Sequence, residues 1–132
     1  MAGSSCVLTS TTVIGKTNPP ARIPNALELL VSWVADDATG AIPDLAITDR
    51  KGWWITKIVT NPGTTGPTAN YDITLIDSDG ADLADGAVTN RSATATEQEA
   101  MAAQIPSDGF TLTFAGNSVN SATGTVRIFL NK

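Results

Sequence analysis

Alternation of apolar and polar residues, closed off by turn formers, is the feature that most restricts what this chain can fold into. In YDITL, residues 71–75, Tyr71, Ile73 and Leu75 are separated by Asp72 and Thr74. That is the two-residue period of a half-buried strand. DSDG, residues 77–80, ends the run, because Asp and Gly accept the positive-φ conformations that tight turns need. NPGTTGPTAN, residues 61–70, forms a loop in front of it. A loop, a strand and an acidic turn make one arm of a β-meander, and the segments on either side have the composition to pair with it.

The same grammar recurs along the chain. LELLVSWVA (27–35) reads as a strand apolar enough to be covered on both faces, with a short helix from Asn25 as the alternative for its first residues. AIPDLAIT (41–48) can return from it, but Pro43 cannot donate to a ladder, so that strand is at an edge or broken. In WWITKIVT (53–60), strict alternation sets Trp53, Ile55, Lys57 and Val59 on one face and Trp54, Thr56, Ile58 and Thr60 on the other. FTLTF (110–114) alternates cleanly, and TVRIFL (125–130) closes the chain. These last two strands read as a hairpin with a long loop. EQEAMAAQI (97–105) consists of good helix formers, with Thr94 or Thr96 as cap and Pro106 just beyond its end, and predicts a short helix. The fold class expected is mainly β: an antiparallel β-sandwich or open barrel of about six to eight strands, with one short helix and an extended N-terminal arm.

The arm is residues 1–23; residues 24–132 form a single β-domain, the size expected for one core. Asn18-Pro19-Pro20 and Ile23-Pro24 favour extended conformations. Val7, Leu8, Val13 and Ile14 form apolar pairs in the arm that need cover. The arm reads either as a frayed terminus or as an extension that crosses onto a neighbouring subunit. In the second reading these four are candidate partner-binding residues, together with Trp53 and Trp54, since Trp is enriched at interface hot spots. A chain starting near Pro24 is expected to fold without the arm.

The net charge of −5 and eight unclustered Lys and Arg argue against direct nucleic-acid binding, which wants a basic patch. No apolar run reaches the roughly 18 residues of a membrane span. The N-terminus lacks the basic region and apolar core of a secretory signal, so synthesis in the cytoplasm is expected. There is no His, so a conventional nucleophile triad cannot form. The single Cys, Cys6, cannot close an internal disulfide and reads as an incidental thiol.

Three constellations could carry chemistry. Asp77, Asp79, Asp82 and Asp85 form the densest carboxylate group, but an EF-hand pattern would need ligands where Ala81 and Val88 stand. The simpler reading is a turn whose Asp side chains cap backbone amides. Asp36 with Asp37, and Glu97 with Glu99, are pairs of the glycoside-hydrolase kind, but their polar surroundings read as solvated surface. Trp53 or Trp54 with Tyr71 would be the stacking platforms of a carbohydrate-binding module. The expectation is therefore no enzyme, no cofactor and no metal.

NPG followed by a short Thr/Pro loop and then NYDITLIDSDGADL resembles small proteins from the structural gene clusters of tailed bacteriophages, over roughly residues 52–91. The resemblance implies a virion component, most simply a capsid decoration (cement) protein on the outer shell. Its partner would be the major capsid protein, and it would be a homo-oligomer, with a trimer favoured, assembled in the host cytoplasm. A carbohydrate-binding β-sandwich of a tail or head fibre, or another tail component, is the alternative.

Overall fold

The computed structural model describes residues 3–14 and 25–132. Over those residues it is all β, with eight strands in two antiparallel sheets. The strands are β1 (Ser5–Val13), β2 (Ala26–Val34), β3 (Leu45–Ile47), β4 (Trp54–Pro62), β5 (Asp72–Ile76), β6 (Glu97–Gln104), β7 (Phe110–Ala115) and β8 (Thr123–Asn131). A five-stranded sheet runs β1-β2-β8-β4-β6, and a three-stranded sheet runs β3-β7-β5. The core lies between them. Leu27, Leu29, Val31 and Trp33 of β2, Ile55 and Ile58 of β4, and Val126, Ile128 and Leu130 of β8 meet Ile73, Leu75, Phe110 and Leu112 of the smaller sheet. The sandwich expected from the alternation is present.

The expected helix is absent. Residues 97–104 form β6, the edge strand beside β4, with Thr60 opposite Glu97 and Ile58 opposite Glu99. Helix propensities differ among ordinary residues by no more than roughly 0.7 kcal/mol each, and an isolated helix this short is marginal in water. Pairing with β4 satisfies a row of backbone groups that β4 would otherwise leave open. The strand also alternates: Met101 and Ala103 pack against the core, while Gln98, Ala100, Ala102 and Gln104 face out. Period two outweighed residue preference.

Several other expectations change in detail. β2 is buried on one face only, with Glu28, Leu30, Ser32 and Val34 half-buried on the other, and the helix considered at Asn25 does not form. The strand expected over residues 41–48 shortens to β3, which is an edge strand. A β-bulge at Thr56 breaks the strict alternation of β4, so Ile55 and Ile58 are both buried while Lys57 and Val59 turn outward. The last two strands are not a hairpin: β7 lies in the small sheet, and β8 lies between β2 and β4 in the large one. Nor does β5 join its sequence neighbour β4; it pairs with β7. β8 sits close under Trp33. Gly124 is opposite that residue, and a Cβ there would come within 2.4 Å of the indole, so only glycine fits.

Within the region expected as an arm, residues 5–13 are β1, hydrogen-bonded along β2 and bulged near Thr9. Asn18-Pro19-Pro20 and Ile23-Pro24 lie outside the described residues.

The sandwich is unequal, five strands over three. At the β6 end the loop between β5 and β6 covers the excess. Val88 and Ala84 are buried there, and Arg91 is 6% exposed. The Arg91 Nη2 donates to Glu99 Oε1 at 3.0 Å and to the carbonyl of Ala87, its Nε donates to the carbonyl of Thr89, and Glu97 lies 3.9 Å from that Nε. At the β1 end β3 lies near β1 and Cys6 is buried, while Leu8 and Val13 stay exposed.

Candidate interaction surfaces

β1 is an outer strand of the large sheet, and its sequence, SCVLTSTTV, carries no charged side chain. Residues opposite one another in an antiparallel ladder share a face. Cys6 lies opposite Trp33 and is buried against the core. Leu8 lies opposite Val31 and Val13 opposite Leu27, so both point to the same inner side. Yet Leu8 is 38% and Val13 51% exposed, in contrast to Cys6 on the same strand. Val7, opposite Ser32, faces the other way and is 51% exposed; Ile14, just past the strand, is 52% exposed. The four arm residues singled out from the sequence thus fall along one edge of the molecule.

The two adjacent tryptophans separate. Trp53 is buried beneath Lys132, whose ammonium lies 5.2 Å from the ring centroid. Trp54 stands on the outer face of the large sheet, 42% exposed. Tyr71 is fully buried beside Trp33, so neither it nor Trp53 offers a ring to a ligand. Burial pushes the Tyr71 phenol up to about 12, against the opposing pull of the Arg91 cation. Burial, and secondarily the Asp44 charge, pushes the Cys6 thiol up to about 11, which keeps it protonated and unreactive.

The acidic turn is occupied by its own backbone. Asp77 Oδ1 accepts from the amides of Asp79 and Ala81, both at 2.9 Å. Asp82 Oδ1 accepts from Leu75 and Ala84, and its Oδ2 from Gly86. No group of three or more potential metal-ligating side chains converges among the described residues. Asp36 caps its turn in the same way, and the amides of Ala38 and Thr39 hold its carboxyl below the usual range. Glu97 and Glu99 flank Arg91 rather than a cleft.

Sequence reasoning missed one feature. On the outer face of the large sheet, Lys57, Val59 and Asn61 of β4 stand opposite Phe129, Arg127 and Thr125 of β8. With Thr96 as a wall they line a groove of about 330 Å³. The Lys57 ammonium rests 4.5 Å from the Phe129 ring centroid, and the Thr96 hydroxyl donates to Asn61 Oδ1 at 2.9 Å. Arg127, 53% exposed at its side chain, lies 3.5 Å from Glu28. Alternation places Lys57 and Val59 on one face of β4, but with Trp53 and Ile55; the bulge at Thr56 hides that they turn outward to join the row from β8.

No family model and no curated protein matches the chain. Similar solved structures include a chain of the cyanophage Pam1 capsid asymmetric unit, with 14% identity and a TM-score of 0.43, covering 92% of this chain and 95% of that one. Another is the enzymatically active domain of tailspike protein 4 from bacteriophage CBA120, with 10% identity and a TM-score of 0.31. That match covers 98% of this chain but only 18% of the tailspike chain. Neither likeness is close enough to place the chain in a family.

Proposed function

We propose that this chain is a non-enzymatic structural protein of a tailed-phage virion, a decoration protein that seats on the outer capsid shell and reinforces it. The observation that carries the docking half of this reading is β1: a nine-residue, uncharged edge strand with Val7, Leu8, Val13 and Ile14 exposed along it. Soluble proteins usually guard a free edge with charge or proline. β1 has neither, which suits an edge meant to be covered. The virion half rests on the resemblance of the 52–91 segment. The mechanism is passive. Docking across junctions between shell subunits, the major capsid protein being the partner, buries apolar surface and adds free energy only to the assembled shell. A trimer would repeat the edge three times around each junction and multiply weak contacts.

The test is co-sedimentation with shells assembled from the major capsid protein of the same genome. Leu8→Asp combined with Val13→Asp places charge on the uncovered inner side of β1 without touching the core. The double variant should keep its circular dichroism and lose shell binding by about tenfold or more, since each residue contributes roughly 1.5–3 kcal/mol when fully buried. Unchanged binding would remove β1 as the docking edge. No binding by the parent chain would remove the decoration role.

A further inference from the structure

We propose that the groove on the outer face of the five-stranded sheet binds a carboxylate-bearing saccharide, a uronate-type glycan. The inference is independent of the virion reading. The groove is rich in donors. The Lys57 ammonium makes no ion pair among the described residues. Arg127 is more than half exposed and, among the described residues, pairs only with Glu28. Because Thr96 occupies Asn61 Oδ1, the Asn61 amide nitrogen is the atom left to face a ligand. Thr125 adds a hydroxyl that donates or accepts. Two cations brought together on the paired strands β4 and β8 of a chain with net charge −5 point to an anionic ligand. The volume of about 330 Å³ lies at the small end of ligand sites, with room for a short saccharide.

The position of the groove decides between a glycan and an acidic peptide. Peptides commonly bind β-proteins by adding a strand to a free edge. This groove lies over β4 and β8, and both strands already have a hydrogen-bonded neighbour on each side. Its floor therefore offers side-chain donors and no backbone ladder. That arrangement suits hydroxyls and a carboxylate, which need convergent donors rather than an extended main chain. Val59 and the edge of Phe129 supply the apolar part that the CH faces of a sugar require.

The experiment is isothermal titration calorimetry of the full chain with trigalacturonate, its methyl ester and poly-glutamate. Saturable binding of trigalacturonate is expected, with about tenfold or greater weakening in Lys57→Ala and in Arg127→Ala, as for loss of a charge-assisted hydrogen bond. Lys57→Gln keeps the stem that covers Phe129, and serves if the alanine variant misfolds. Glu28→Gln frees Arg127 and removes a competing carboxylate, so it should tighten binding. Lys51→Ala, in a turn away from the groove, should leave it unchanged. The methyl ester should bind at least tenfold more weakly. Absence of saturable binding, or binding insensitive to Lys57 and Arg127, would overturn the proposal. So would poly-glutamate binding as tightly as trigalacturonate, which would make the groove a dock for an acidic peptide.

Discussion

Asp82 shows how a residue that resembles a metal ligand can be part of the fold instead. Its two oxygens accept amides from Leu75, Ala84 and Gly86, so one side chain ties the end of β5 to the loop that follows. Asp82→Ala should destabilise the chain by about 1–3 kcal/mol, by leaving those amides without their acceptor. Urea unfolding will measure it, and millimolar calcium should leave the parent and the variant unchanged; a calcium-dependent midpoint in the parent alone would make the turn a metal site. Tyr71 is the only tyrosine in the chain, which makes its burial directly readable. An ordinary phenol titrates near 10, whereas this one is held up to about 12. The folded state therefore keeps its proton where the unfolded chain releases it. The sign follows: this contribution to stability is intact below about pH 10 and is lost as pH rises through about 12. Ultraviolet absorbance titration of the folded chain should give a midpoint well above 10, and the free-phenol value should appear once urea unfolds it. A midpoint near 10 in the folded chain would place Tyr71 in contact with solvent.

At the scale of elements, β6 and β4 separate what the sequence displayed from what it hid. The alternation of residues 71–75 and 110–114 was readable because one face of each strand is buried and the other is not. β6 also alternates, but its core face is made of Glu97, Glu99, Met101 and Ala103, which do not look apolar as a set. The glutamates face inward only because Arg91, reached through the bridge between residues 71 and 91, compensates them. A cation six residues upstream of the strand cannot be recognised as its partner from spacing alone. In β4 the bulge at Thr56 shifted the faces of the residues beyond it, and nothing in WWITKIVT announces a bulge. β6 also yields a prediction of its own. Ala100 and Ala102 lie on its exposed face, where β-branched residues suit a strand better than alanine. Ala100→Thr and Ala102→Thr should each raise stability by a few tenths of a kcal/mol, up to about 1. In a helix the same changes would lower it. Urea midpoints decide between the two signs.

At the scale of the whole molecule, the sandwich class was legible and its wiring was not. Class follows from local periodicity, but the placement of β8 between β2 and β4 depends on pairings between residues about a hundred positions apart, such as Leu29 with Ile128. The same long-range wiring changes what residues 5–13 do. From the sequence they belong to a detachable arm, with apolar pairs left over from the core. In the sheet, β1 is paired with β2 over most of its length, and Cys6 is packed against the core opposite Trp33. Two roles are therefore combined in one strand: its pairing with β2 and its Cys6 belong to the fold, while its outer edge and the inner-face side chains of Leu8 and Val13 are exposed. Removing residues 1–23 would strip β2 of a partner, leave Leu27, Leu29 and Val31 at a new edge, and uncover the space filled by Cys6. Such a truncation should lose more than about 2 kcal/mol, out of the roughly 5–15 kcal/mol typical of a domain, and should aggregate through the bared β2 edge. The Leu8→Asp, Val13→Asp variant should keep nearly the parent's urea midpoint, because it touches only the open side. Light scattering and urea unfolding on the parent, the truncation and the double variant test the division. A truncation as stable and monodisperse as the parent would show that β1 is an accessory strand, whereas a double variant that unfolds with the truncation would show that Leu8 and Val13 are part of the core.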